Sequence, residues 1–131
     1  HLFSYFRGEE WRTQKETQRL LDKYFTTKPN GIPGNDDTGT MSAWAIFNMI
    51  GFYPDCPGLP EYTLTTPVFN KVTIRLDPKW YKEKELVIES NRTQPGTLYI
   101  NKVLLNGKKF NQYRITHDEL VHSQRILFDL K

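Results

Sequence analysis

A single cysteine, Cys56, stands among 131 residues, so no internal disulfide can form. With only 3 histidines, no Cys/His spacing of the zinc-binding kind is present either. Long apolar runs are absent, and nothing approaches the roughly 20 residues needed to cross a bilayer. The N-terminus lacks the charged, apolar and small-residue order of a signal peptide. It opens at His1 inside an apolar segment, without a Met, and reads as an excised piece whose targeting segment, if any, lies upstream. An excess of one charge is lacking too: 18 basic against 15 acidic side chains leave a scattered +3. The nearest approach to a basic cluster is Lys79, Lys82 and Lys84 beside Trp80 and Tyr81. Glu83 and Glu85 interrupt it, so it reads as a solvated strand edge and no nucleic-acid partner is expected.

What remains is ordinary globular composition: 37% hydrophobic, 14% aromatic and 25% charged residues. The length suits one modest domain. Two textures divide it. Residues 1–58 read as helical with one long loop, and residues 59–131 as β-rich, with alternation setting in near Tyr62.

The first helix is expected from Glu10 to Phe25, with Thr17, Leu20, Leu21 and Tyr24 on one stripe. Prolines and glycines break the following stretch to Thr40. A second helix is expected over Met41–Ile50, capped by Thr40 or Ser42 and ended by a left-handed Gly51. Its apolar residues run almost all the way round, which predicts burial on every side. That needs more material than this chain holds. Downstream, Val72, Ile74 and Leu76 alternate with polar neighbours, as do Leu86 and Ile88. The alternation shifts by one between Leu98/Ile100 and Val103/Leu105, predicting a bulge near Asn101–Lys102. Asn106-Gly107 predicts a two-residue hairpin turn, followed by a strand near Phe110–Ile115 and a last one through Ile126, Phe128 and Leu130.

The segment most able to carry chemistry is Gly34-Asn35-Asp36-Asp37-Thr38-Gly39-Thr40, within the loop 31–40. It sets two adjacent carboxylates and an amide in a glycine-bounded turn, directly before a helix N-terminus. Free amide hydrogens and partial positive charge there favour an ionised carboxylate. Such a group suits a general base or a metal ligand, whereas a general acid needs a raised pKa. The same string also reads as an Asx turn leading into a capped helix. An EF-hand is poorly supported, because the ligand spacing and the distal glutamate are absent. His1, His117 and His122 read as structural or solvated, and Asn91-Arg92-Thr93 fits a glycosylation sequon that matters only in a eukaryotic secretory route.

Pro33-Gly34-Asn35-Asp36-Asp37-Xaa-Gly39-Xaa-Met41-Ser42-Ala43-Trp44, continuing through Phe47 to Gly51-Phe52-Tyr53-Pro54, resembles the signature of glycoside hydrolase family 92. Trp11-Arg12-Thr13-Gln14 is similar to the family's Trp-Lys-Thr-Gln. Tyr62–Phe69 with Pro67, and Tyr99-Ile100 with Leu105-Asn106-Gly107, extend the likeness over nearly the whole chain. The resemblance implies an α+β fragment: the last helices of an (α/α)6 barrel followed by a small antiparallel sheet or sandwich tail. It implies a calcium-dependent, inverting exo-α-mannosidase of the α-1,2 type, acting on mannose-containing glycans such as N-glycans. It places the parent outside the cytoplasm: secreted, periplasmic or on the cell surface. By the same resemblance Asp37 takes the general-base position, and Asp36, at the preceding acidic position, is expected to be catalytic beside it; Asp36 and substrate-binding Asn35 would orient the water, the base or the sugar. The calcium ligands are not placed on this chain. Thr40 stands where the family usually has Gln, Ala45 where an aromatic is common, and Ser123-Gln124 where Gly-Gly is frequent.

An inverting hydrolase needs two carboxyl groups roughly 6.5–9.5 Å apart. Neighbours on a tight turn normally point apart, so Asp36 and Asp37 do not read as that pair. The general acid, a Glu in the family, is expected before His1, in the remainder of the parent catalytic domain. The rival reading is a stand-alone carbohydrate-binding or interaction module, with Trp80, Tyr81 and Tyr99 as a stacking face.

Overall fold

In the computed structural model, which describes residues 1–131, the first helix α1 spans Glu10–Tyr24. Ion pairs at i,i+3 join Arg12 to Glu9 at 2.5 Å and Arg19 to Glu16 at 2.7 Å along its solvent side. Its buried residues are Thr13, Gln14, Thr17 and Leu21. The stripe is thus rotated from the expected one: Leu20 is half-buried and Tyr24 exposed. Gln14 lies on the inner face because its side chain is hydrogen-bonded to a strand, and Thr13 there donates its hydroxyl to His1 O at 3.4 Å.

The second helix, α2, spans Thr40–Ile50 and stops at Gly51, whose φ of 118° lies in the left-handed region. A β-carbon at Gly51 would sit 3.2 Å from Pro67 Cβ and 3.5 Å from a ring carbon of Phe128. Glycine therefore serves both the reversal and the close packing. The expected all-round burial of α2 is not reached within this chain. Only Ala45 and Asn48 are buried, and Ile46 is 57% exposed. Phe47 and Ile50 lie on the sheet core, while Trp44 stacks on Phe25 with ring centroids 5.4 Å apart. The outward side has nothing over it.

Two sheets follow. Strands β1 (Phe52–Tyr53), β2 (Glu61–Leu64) and β7 (Arg114–Thr116) form an antiparallel trio in the order β1-β2-β7. The second sheet has the order β3-β4-β8-β5-β6. Its strands are β3 (Lys71–Arg75), β4 (Glu85–Arg92), β5 (Ile100–Leu105), β6 (Lys108–Phe110) and β8 (Arg125–Leu130). Its pairs are antiparallel except β4 with β8, which run parallel. The bulge falls between Ile100 and Lys102 as expected. Asn106 and Gly107 both take positive φ, 48° and 81°, which suits the tight hairpin joining Leu105 to Lys108.

The strand expected over Phe110–Ile115 is instead two. β6 ends at Phe110, and β7 crosses to pair with β2 in the other sheet. Exposed Asn111 and Gln112 mark the crossing. The helix α3, His117–His122, was not expected at all. Its signal is a capping box: Thr116 Oγ1 accepts from Glu119 N, and Glu119 Oε2 accepts from Thr116 N.

One hydrophobic core binds the two sheets, taking Phe52, Leu64 and Ile115 from the first and Leu86, Ile88, Ile100, Val103, Ile126, Phe128 and Leu130 from the second. Burial of these side chains at about 25 cal/mol per Å² is the main stabilising term. The helical and β-rich segments share this core, since Phe47, Ile50 and Phe52 come from the first segment.

Candidate functional site

The turn ahead of α2 is held at several points. Asp36 folds its carboxylate over the helix start: Ser42 donates its backbone N–H to Oδ1 at 2.9 Å and its hydroxyl to Oδ2 at 2.6 Å. This replaces the expected cap from Thr40 or Ser42. The residue bordering the helix is Gly39, with φ 82° and no side chain to cap with. Satisfying a helix N-terminus with a charge-assisted acceptor is favourable twice over, through the hydrogen bonds and through the helix dipole. The hydroxyl and N–H of Ser42 accordingly hold the Asp36 carboxyl below the ordinary aspartate range.

Asp37 behaves differently. It begins a single 3-10 turn, Asp37–Gly39. Its backbone carbonyl accepts the hydroxyls of Thr38 at 2.7 Å and Thr40 at 2.5 Å. Its carboxylate has no hydrogen-bond or ion-pair partner in the chain and is open to solvent. Thr38 sits at φ 52°, an uncommon place for a β-branched residue, and Gly39 follows at φ 82°. Gly39 N–H closes the turn on Asp36 O at 2.8 Å. Asn35 is exposed beside it. The two adjacent aspartates therefore do separate jobs: one carboxylate is spent on the helix, and the other projects freely.

Beside this turn lies an apolar hollow of about 280 Å³, lined by Leu20, Tyr24, Phe25, Pro33, Thr40, Met41, Trp44 and Tyr53. Ala45, where an aromatic is common in the resembled family, is one of the two buried residues of α2.

The other candidates resolve into structural roles. His1 stacks on Tyr53 at 4.5 Å and shares a 2.9 Å hydrogen bond with Asn48. His117 is held between the hydroxyls of Tyr62, at 2.9 Å, and Tyr81, at 3.4 Å. His122 pairs with Asp118 in the last turn of α3. Trp80, Tyr81 and Tyr99 do not make one stacking face. Trp80 is 72% exposed beside Lys79, Tyr81 leans on His117, and Tyr99 meets Trp11 edge to face. Asn91 of the sequon is exposed on β4. No three His, Cys, Asp or Glu side chains converge as a metal cage, so the residues present do not by themselves fit a calcium centre. No helix is long and apolar enough to cross a membrane.

The role of Ser42 was not foreseen. The signal was available, because an acidic residue six positions before a Ser in a helix's first turn allows a carboxylate to reach back over the cap.

Comparison with known proteins places the chain in a family. A family model described as the glycosyl hydrolase family 92 catalytic domain matches residues 1–131. A solved family GH92 α-mannosidase from Bacteroides thetaiotaomicron, in complex with mannoimidazole, superposes with a TM-score of 0.84 at 31% identity, over 94% of this chain and 16% of its own. A family GH92 inverting mannosidase from the same organism gives 0.79 at 36% identity, over 93% of this chain and 16% of its own. A curated protein of Arthroderma benhamiae, described as an uncharacterised secreted glycosidase, is 28% identical over 87% of this chain and 14% of its own length. The chain thus spans about one-sixth of these relatives or less. With its whole length matched by the family model, and with such a relative above 30% identity, this chain belongs to glycosyl hydrolase family 92.

Proposed function

We propose that this chain is the C-terminal part of an exo-acting, inverting α-mannosidase that removes terminal α-mannose from glycans, and that Asp37 is its general base. The observation that supports this most directly is the free, solvent-facing carboxylate of Asp37, set on a turn whose backbone is pinned at both ends. In this reading a water molecule lies between Asp37 and the anomeric carbon. Asp37 takes the water's proton as its oxygen bonds to that carbon, and the glycosidic bond breaks on the opposite face. The leaving oxygen receives its proton from an acid on another segment of the parent, because Asp36 is turned away onto Ser42 and is too close in sequence to span the sugar. Asn35 is placed to contact the sugar or the water.

The remainder of the parent catalytic domain is proposed to cover the bare side of α2, where Ala43 and Ile46 lie exposed. A hexagonal arrangement of helix pairs is the barrel expected there. Calcium would draw its ligands mainly from that remainder. A secreted or cell-surface parent fits the secreted fungal relative. An α-1,2 linkage stays the preferred substrate class by family likeness.

The test is Asp37→Asn in the full-length protein, assayed on an α-linked mannobioside. A loss of roughly 10³-fold or more in turnover, with the fold intact by circular dichroism, is expected. Near-normal turnover overturns the assignment. Titrating the isolated chain with mannosides separates the module reading: measurable heat of binding favours a stand-alone lectin-like role, and silence favours a severed catalytic part.

A further inference from the structure

We propose that Ser42 is a positioning residue of the hydrolytic site, which acts through Asp36 to set the direction in which Asp37 projects. The inference rests on Asp37 being the base and concerns how that base is aimed.

The turn is anchored on both sides of Asp37. On the N-terminal side, Ser42 grips both oxygens of the Asp36 carboxylate, at 2.9 and 2.6 Å. On the C-terminal side, the Thr38 and Thr40 hydroxyls take the Asp37 carbonyl. Between these anchors the backbone reverses through Thr38 and Gly39, both at positive φ. A β-branched residue held there relaxes to an ordinary conformation once its surroundings stop holding it. The Asp37 side chain has no partner of its own in this chain, so its aim comes from its backbone alone. Ser42 is the residue of α2 that grips both oxygens of the Asp36 carboxylate, with a weaker contribution from the Met41 backbone N–H. It belongs to the first turn of a helix seated on the hydrophobic core through Phe47 and Ile50. The rigid core is thereby coupled to the turn that carries the base through two donor atoms of one serine. Misplacing a reacting group by about 1 Å costs roughly 10²-fold in rate, so loosening this grip is expected to appear in kcat.

The proposal also divides the aspartates. Asp36 acts by holding the turn and does not touch the attacking water. Asn at position 36 keeps an acceptor for the Ser42 N–H, whereas Asn at position 37 cannot take a proton.

The experiment compares Ser42→Ala, Ser42→Thr, Asp36→Asn and Asp37→Asn in the full-length protein, with kcat, KM and the pH profile of kcat on one mannobioside, and circular dichroism for the fold. Ser42→Ala is expected to lower kcat roughly 10- to 100-fold with KM changed less than about threefold. Its acid limb should move to higher pH, because Asp36 loses the hydroxyl bond to Oδ2 that helps keep it ionised and retains the backbone N–H bond to Oδ1. Ser42→Thr restores a hydroxyl and recovers most of kcat. Asp36→Asn stays well above Asp37→Asn. Three results overturn the positioning role: unchanged kcat in Ser42→Ala, a loss confined to KM, or Asp36→Asn as inactive as Asp37→Asn. A near-normal Asp37→Asn instead overturns the base assignment, whatever Ser42 does. Should Ser42→Ala fail to fold, the Asp36→Asn comparison alone decides.

Discussion

Gln14 on α1 accepts the backbone N–H of Ile100 on β5, Oε1 to N at 2.9 Å, across 86 positions of sequence and with both groups buried. The donor sits at the bulge, where the ladder between β5 and β8 slips and strand pairing is interrupted. The helix supplies what the sheet cannot.

Truncating Gln14 to Ala should therefore leave a buried N–H without an acceptor and open a small void between α1 and β5. An unsatisfied buried donor costs about 1–3 kcal/mol. Urea unfolding of the chain should show that loss as a lower midpoint with little change in slope. A shift below about 0.3 kcal/mol would mean water reaches Ile100 and the side chain is not holding the helix in place.

Gly51→Ala tests the junction between α2 and β1. The new methyl meets Pro67 at 3.2 Å and strains a backbone at φ 118°. The two penalties together are expected to cost about 2–4 kcal/mol. The same change at Gly58, where φ is 91° but nothing lies within 4 Å, carries only the backbone penalty. Thermal unfolding should rank Gly51→Ala clearly below Gly58→Ala, and equal melting temperatures would remove the packing argument.

Much of this arrangement was legible in the sequence, for identifiable reasons. The two main helices, the Gly51 stop, the bulge and the Asn106-Gly107 hairpin each rest on a local rule that needs no tertiary contact. The loop 31–40 stands out in the sequence because Gly34, Asn35, Asp36 and Asp37 are unusual together, and its catalytic role is a proposal. What failed was non-local. Nothing in Phe110–Ile115 says that the chain changes sheet at Asn111, since both halves carry strand-forming residues. The parallel partner of β4 is the last strand, almost forty residues on, and no periodicity encodes that choice. The polar inner face of α1 escaped because a buried Gln becomes sensible only once the orphan N–H it serves is known. Within the site, composition could not divide Asp36 from Asp37. Which carboxylate folds back depends on Ser42 lying within reach.

Acid should expose two paired carboxylates. Arg125 holds Glu89 below its ordinary range, chiefly by a side-chain hydrogen bond at 2.6 Å, and Ser42 does the same for Asp36. Both folded-state values lie under the unfolded ones, near 4.3 for Glu and 3.9 for Asp. Their stabilisation is thus present above those values and is lost as pH falls through the folded-state values. Stability of the chain should decline below about pH 4. Arg125→Met should make that decline shallower, because Glu89 then keeps only the weaker attraction of Lys71, 3.6 Å away. An identical pH slope in the variant would show that the pair is screened away by solvent.

Arg114 carries the last and most sharply posed prediction. Its guanidinium bonds Glu61 at 2.7 Å, approaches Asp55 at 3.4 Å and lies 3.9 Å above the ring of Tyr5. Asp55 is almost wholly buried and its Oδ1 has no hydrogen-bond partner, so the cation is its main compensation besides Thr63. Removing the cation strands a buried charge, which is costlier than losing the pair as a whole. Arg114→Met should destabilise by about 2–3 kcal/mol, less than for a fully enclosed pair because the guanidinium is partly wet. Asp55→Asn placed on top of it should return part of that loss, since the stranded charge is gone. The double variant should therefore be more stable than Arg114→Met alone, by about 1 kcal/mol in a double-mutant cycle. If the two losses simply add, Asp55 is not held by Arg114, and the contact is geometric only.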